Sequence, residues 1–391
     1  MIGDHYHAVV LGGGPAGLAA ALALRRQAEV SVLVVEAGTA DRDRIGECAP
    51  ADLLALLDQL GLTDRFIAAG HASSPGNASV WGAAQVDYNN AFLNPMGTAW
   101  RLDRRLFDRM LADAAAAARV EILWRTQFLR ARSAGNTPGR GHHLQFALAD
   151  GRVASTLARW VIDATGSHAR FACAAGARMR VDDQMFALVR FSSIKSGSMT
   201  MQMLVEATRD GWWYAARLPN ARLPGRRVVT MFVTDRDVLH RMTVEGCAAW
   251  EKSLASTTLI GPTLAELVLD HRPAECRTGG AHHVFPVCSS ALDTRAGDGW
   301  IAAGDAASSY DPIAQGLFKA LADGVAAGQQ VAQWIATGGA PGDDTRSQAG
   351  FHDYNRTRAH LYGLERRWPD APFWRTRQER AAAALDMAKR R

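Results

Sequence analysis

Apolar residues run unbroken from Ala8 to Leu11, glycines follow at positions 12 to 14, and between Leu18 and Leu24 the apolar positions recur at helical spacing. A second run, "VSVLVVE", then ends on Glu36. The pattern predicts strand, glycine turn, helix, strand. Two later stretches, "VIDATGSHAR" at 161–170 and "GWIAAGDAASSYDP" at 299–312, repeat the buried strand followed by a glycine turn. Between them, "DDQMFALVRFSSI", "SMTMQMLVEATRDGWWYAARLP" and "RRVVTMFVTD" alternate and are rich in β-branched residues, as strands of a half-exposed sheet do. "GNTPGRGHH" at 135–143 reads as a loop and "TGGAPGDDTRSQAG" at 337–350 as a linker. The linker leads to a tail of arginines interleaved with aromatics, read either as an amphipathic helix closing the fold or as a docking surface for a protein or peptide.

The chain has 391 residues, 48% hydrophobic and 21% charged, enough for a large core or two. Its net charge of +5 comes mostly from arginine scattered along the sequence, without the dense basic runs of a nucleic-acid or anionic-membrane patch. Five cysteines, Cys48, Cys173, Cys247, Cys276 and Cys288, show no C-x-x-C pair. This pattern favours a reducing compartment over a disulfide framework or a zinc site. No basic leader with a cleavage site and no long apolar span is visible, so the expected location is cytoplasmic, with no nucleic-acid or membrane partner.

Gly12, Gly14 and Gly17 fit G-x-G-x-x-G directly after a strand. The first glycine permits the tight turn, the second lets a pyrophosphate approach the backbone, and the third lets helix and strand pack closely. Ala16 lies among the first helical amides, which face the phosphates at the positive end of the helix. Glu36 closes the second strand, where a carboxylate accepts from ribose hydroxyls. Three strand-to-glycine pieces spaced along the chain suit an FAD lying extended across one domain better than a nicotinamide dinucleotide.

With "RLDRRLFDRMLADAA" at 101–115, "VIDATG" at 161–166 and "GDAASSYDPIAQGL" from 304, the sequence resembles the FAD-dependent aromatic hydroxylase and halogenase superfamily, which has the p-hydroxybenzoate hydroxylase fold. The resemblance implies an α/β fold: a Rossmann-like FAD-binding domain, an inserted mostly β substrate domain and a C-terminal helical tail. The expected boundaries are 1–172 for the first part of the FAD domain, with 80–100 near the substrate side, 173–284 for the substrate domain, 285–340 for the rest of the FAD domain, and 341–391 for the tail. Carried over by position, Arg104 would contact the flavin phosphate or ribityl side, and Asp163 and Gly166 would sit beside the pyrophosphate. Gly304 and Asp305 would hold the ribityl chain and the pyrophosphate, and Pro312 would lie along the isoalloxazine. The helix beginning near Gln315, with Gly316 and Leu317, would aim its amides at the ring edge that gains negative charge on reduction.

"RIGECAPADLLALLDQLGL" at 44–62 resembles a segment of flavin-dependent halogenases and their relatives. "FLNPMGTAWRLDR" at 92–104 and "RWPDAPFWRTR" at 367–377 are similar to tryptophan-hydroxylating flavoproteins that mature cysteine tryptophylquinone amine oxidases and dehydrogenases. A halogenase needs a lysine between the fingerprint and the D-R block, and residues 37–104 contain none. The W-x-W-x-I-P signature is also absent, its nearest counterpart being "GWWYAARLP" at 211–219. The resemblance therefore implies an FAD monooxygenase acting through a flavin C4a-hydroperoxide on an electron-rich aromatic group: a small molecule, or tryptophan in a peptide or protein. Electrons would come from NAD(P)H or a flavin reductase, and the oxygen from O2. The alternatives are a flavin-dependent halogenase, a reductase of the geranylgeranyl reductase type and a non-catalytic flavin-bound partner.

For the substrate pocket the candidates are Trp212, Trp213 and Tyr214, with ordinary sheet core as the competing reading. Glu47 is either an acid/base group near the ring or a structural turn acid. Cys48 reads as a small buried thiol rather than a flavin tether. His282 and His283 are either a proton relay or ordinary histidines. Adjacent histidines do not by themselves chelate a metal.

Overall fold

A computed structural model describes residues 2–41, 43–90, 97–135, 141–219, 226–270, 283–314, 316–339 and 345–389. His282, Gln315, Cys276 and residues 92–96 of the sequence reading lie outside them. The chain divides into two compact units. The first comprises Met1–Ala69, Arg104–Asp182 and Ser289–Phe351, and the second Gly70–Asp103, Asp183–Cys288 and His352–Arg391.

In the first unit, strand β1 (His5–Leu11) leads through the glycine turn into helix α1 (Pro15–Gln27) and strand β2 (Val32–Val35). β1 lies between β2 and Val153–Asp163, and Trp300–Ala302 and Glu121–Leu123 extend the parallel sheet on either side. The continuous apolar runs of these strands match a parallel sheet covered on both faces. The register places Leu11 opposite both Val35 and Asp163, and Asp163 opposite Ala302. The strands thus end in one row, and the residues after each end, Gly12, Glu36, Ala164 and Ala303, meet at the carboxyl edge, where open α/β sheets bind ligands.

Helix α1 is rich in buried alanine and leucine, which favour helix and leave a smooth surface. The helix Gly316–Thr337 packs on it closely enough that only glycine fits at two positions. A Cβ at Gly324 or Gly328 would stand 2.2 Å from the carbonyl oxygen of Ala16 or Ala20.

The second unit is built on a sheet ordered Val268–Asp270, Phe186–Ser196, Arg226–Thr234, Gly211–Leu218, Met203–Thr208, Gly76–Val80, Asp87–Asn90. Its pairs are antiparallel except that between Met203–Thr208 and Gly76–Val80. Alternation separates the faces of the central strand. Trp213 joins the core cluster under the helices Arg236–Glu245, Cys247–Ala255 and Ile260–Ala265. Trp212 points the other way, and its Nε1 donates to the Tyr362 hydroxyl at 3.0 Å. The tail forms the helices Thr345–Leu364 and Pro372–Lys389. Among the described residues no helix is long and apolar enough to cross a membrane.

One expectation is corrected. Cys247 is disulfide-bonded, whereas Cys48, Cys173 and Cys288 are free thiols. The five cysteines show no C-x-x-C pair that would have signalled this bridge.

Candidate functional site

The carboxyl edge of the parallel sheet opens into a cavity of about 330 Å3. Gly12, Gly14 and Ala16 form one wall, Glu36 stands at the end of β2, and Gly166 and Asp305 complete the far side. Local geometry dictates the glycines. Gly12 has φ +112°, and a Cβ there would fall 2.1 Å from the Ala164 carbonyl oxygen. Gly17 does not line the cavity; it packs behind the turn, where a Cβ would be 1.9 Å from the Gly12 oxygen.

Helix α1 has no side-chain cap and no acid in its first turn. Its first full helical bond runs from the Leu18 amide to the Gly14 oxygen, so the amides before it have no helical acceptor. The positive end of α1 therefore faces the cavity, a ready site for an anion. Glu36 is buried and accepts the Gly13 amide at 2.8 Å and the Gly38 amide at 2.7 Å, which aligns its carboxylate along the rim.

Asp163 is wholly buried beneath the cavity. One oxygen accepts the Thr165 amide and hydroxyl at 3.0 and 2.7 Å, and the other accepts the Phe171 and Ala172 amides at 2.9 and 2.8 Å. Burial pushes its carboxyl upward against these hydrogen bonds, which pull it down. It shapes the turn that carries Gly166 and does not itself line the cavity. Asp305 does line it, and no hydrogen bond to it is formed among the described residues. Burial pushes this carboxyl above its ordinary value, with Asp323 adding to the rise and Lys319 and Arg104 opposing it. Lys319 Nζ donates to the Gly304 oxygen at 2.7 Å and to the Ser308 oxygen, and pairs with Asp323 at 3.0 Å, pinning the glycine-acid turn to its helix.

The remaining predicted residues lie off this cavity. The Arg104 guanidinium is held by both Asp108 oxygens and donates to the carbonyls of Ile45 and Gly46. Next to it, Glu47 is buried, and its Oε2 accepts the Gly46 amide at 3.1 Å. Gly304 sits behind the wall, where a Cβ would be 2.6 Å from that of Ala16. Pro312 lies inside a turn in which Asp311 accepts the Ile313 amide at 3.0 Å, and Gly316 and Leu317 open the long helix.

In the second unit, Trp213 is fully buried, with the Phe232 ring tilted against it at 4.8 Å and Trp250 edge-on at 4.6 Å. Tyr214 accepts from Arg101 Nη1 at 3.3 Å. These contacts favour sheet core over an open pocket for the aromatic triplet. His283 is exposed beside Phe191.

Sequence reasoning missed several lining residues: Arg44, Thr126, Gln127, Phe128, His168 and Arg170. His168 and Arg170 flank Ala169, whose φ of +41° turns the chain sharply after the glycine. A basic residue just behind a phosphate-type turn was the available signal for Arg170. A glycine-walled cleft with a bare helix N-terminus, basic side chains on the rim and a carboxylate at each end suits an anionic dinucleotide.

Residues 5–349 match the model of the FAD binding domain family. This chain belongs to that family. FAD is its cofactor, and the chain is an FAD-dependent oxidoreductase. It is 26% identical over 387 residues, 98% of this chain and 100% of the relative, to the protein designated FAD-dependent oxidoreductase LodB of Marinomonas mediterranea. Among solved structures it resembles the myxobacterial chondrochloren halogenase CndH, at TM-score 0.78 and 21% identity, covering 98% of this chain and 89% of that one. It also resembles the peptidyl tryptophan dihydroxylase QhpG, essential for tryptophylquinone cofactor biogenesis, at TM-score 0.67 and 23% identity, covering 96% and 79%. At these identities the two structural likenesses establish the fold.

Proposed function

We propose that this chain is an FAD-dependent monooxygenase that hydroxylates an electron-rich aromatic ring, with the indole of a tryptophan in a peptide or protein as the substrate class. Reduced FAD supplies the electrons with which dioxygen is split, one oxygen going to the arene and the other to water. The residues of the chain position the cofactor and exclude water. The amides at the start of α1, approached across Gly12 and Gly14 and backed by Gly17, hold the pyrophosphate together with Arg170 and His168. Glu36 receives the ribose hydroxyls, and Asp305 the ribityl chain, with Gly304 giving the backbone room to approach. Asp163 keeps the Gly166 turn in shape.

The first turn of the helix Gly316–Thr337, with Leu317 and the preceding Pro312, would face the flavin ring, where its positive end would favour the anionic reduced form. Arg104 holds the Ile45 and Gly46 carbonyls and so fixes Glu47 as the acid/base or orienting group. Trp213 and Tyr214 serve as the rigid backing of the substrate sheet.

The observation that carries hydroxylation over halogenation is the absence of any lysine in residues 37–104, where a halogenase would need one to deliver oxidised halide. The fold shared with the peptidyl tryptophan dihydroxylase supports a protein-borne indole as the target. The test is to supply the FAD-loaded protein with NADPH or a flavin reductase and with oxygen, with and without bromide, and to weigh the products from tryptophan peptides. Addition of oxygen mass regardless of bromide is the expected result. A brominated product would establish halogenation instead, and substrate reduction without oxygen would establish a reductase.

A further inference from the structure

The tail segment at 367–377 builds a second cleft in the β-rich unit, of about 270 Å3. Its apolar walls are Ala84, Ala207 and Trp368, and three hydroxyls, Thr208, Ser256 and Thr258, face it. Each hydroxyl has already spent its proton. Thr208 donates to the Gly211 oxygen at 3.1 Å, Ser256 to the Ser253 oxygen at 2.7 Å, and Thr258 to Glu206 Oε1 at 2.9 Å. Towards a ligand these oxygens therefore offer lone pairs alone.

The charges around the cleft are also occupied. Glu206 accepts the amides of Thr258, Leu259 and Ile260. Arg209 pairs with Asp370 at 2.7 Å, and Arg367 donates to Glu365 and to the Val80 and Ala207 carbonyls. A ligand anion would find no uncommitted cation, and a ligand cation would meet two guanidiniums. Trp368 is held rigid by the Arg367 guanidinium 4.4 Å from its ring centroid and by stacking on Trp374 at 6.2 Å. A ligand gains from a preorganised aromatic wall without the entropy cost of ordering it. A cavity of about 150 Å3 accommodates benzene, so this one admits a fused pair of rings.

We propose that this cleft binds a neutral indole side chain of a protein partner, whose N–H donates to the hydroxyl oxygens of Ser256 and Thr258. The choice of a protein-borne indole rests on the function proposed above, whereas the binding chemistry rests on the cleft itself.

The test titrates the FAD-loaded protein with N-acetyl-5-fluoro-L-tryptophanamide and follows the fluorine resonance. Flavin absorbance recorded alongside reports any occupancy of the flavin site. Saturable binding that leaves the flavin spectrum unchanged is expected, weakened roughly tenfold by Trp368→Ala and by replacing the probe with its 1-methyl derivative, which has no indole N–H. Ser256→Ala, at an exposed position, provides a second variant expected to weaken the parent probe and not the methylated one. Absence of saturable binding, or equal binding by the methylated probe, would overturn the proposal. Intact cleft binding in a protein that adds no oxygen to any tryptophan peptide would support the cleft and defeat the functional reading.

Discussion

Asp163 in the nucleotide unit and Asp183 in the sheet unit are almost equally shielded from water, at 0% and 4% exposure, yet they are satisfied in opposite ways. Asp163 takes four donors from Thr165, Phe171 and Ala172, all within nine residues along the chain. Asp183 takes Arg358, Arg377 and Arg380, all from the C-terminal tail. Local backbone amides arrive already fixed by the turn. Remote arginines must each give up about 1.5–2 kcal/mol of rotamer freedom and form only once the tertiary fold exists. The same contrast runs through both units: a glycine cradle set by backbone geometry in one, and in the other an aromatic and guanidinium lattice in which Trp81 meets Trp212, Tyr362 and Trp374 at 5.3 to 6.2 Å.

The comparison breaks most visibly at the cradle. Gly12→Ala drives a methyl into the Ala164 carbonyl and demands a left-handed backbone from alanine. We expect FAD affinity to fall roughly a hundredfold or more while the far-UV circular dichroism stays native, measured by equilibrium dialysis of the flavin. Retention of flavin by this variant would refute the assigned cleft. Next is Asp183→Asn, which leaves buried arginines facing a neutral partner and should cost about 3–5 kcal/mol in urea unfolding. Asp163→Asn, whose donors are neutral amides and a hydroxyl, should cost less, about 1–3 kcal/mol. A reversed order would show that local satisfaction is worth more than the remote ion pairs.

The sheet unit also carries a pH signature. Burial lowers the His71 imidazole to about 4, against an opposing pull from Asp103, and its Nδ1 accepts the Asp103 amide at 3.2 Å. Between the ordinary histidine value of 6.5 and about 4, the unfolded chain binds a proton that the folded one refuses. Stability is therefore full above pH 6.5 and declines as pH falls through that window, by on the order of 3 kcal/mol in total. His71→Gln should flatten the slope in denaturation curves taken across the window. An unchanged slope would assign it to other groups. The smallest effect is expected for Glu36→Gln, which turns one oxygen that accepts a backbone amide into a donor. About 1–2 kcal/mol, or roughly tenfold in FAD affinity, should be lost in the same dialysis assay.

The glycine-walled cleft was largely legible because each of its parts is a short-range event. The turn at Gly12, the bare start of α1 and the acid at Glu36 follow one another within one strand–helix–strand unit, and the strand register then brings in Gly166 and Asp305. Arg104, Pro312 and Leu317 were harder to place, since a guanidinium or a helix start reveals its partner only when another segment arrives. The Trp212–Trp213–Tyr214 run shows the limit most clearly. Alternation fixed that neighbouring residues point to opposite faces, but not which face would be covered, and Trp213 is closed off by Trp250 from a separate helix.

By itself the sequence determined the glycine turn after β1, the strand-to-glycine pieces and the strands of the second unit, because glycine sterics and two-residue periodicity act over a few bonds. The arginine cluster on Asp183 and the indole-sized cleft beside Trp368 were decided by the tertiary structure alone. Each depends on groups far apart in the chain, and no local rule states which of many arginines or aromatic rings will reach the same place.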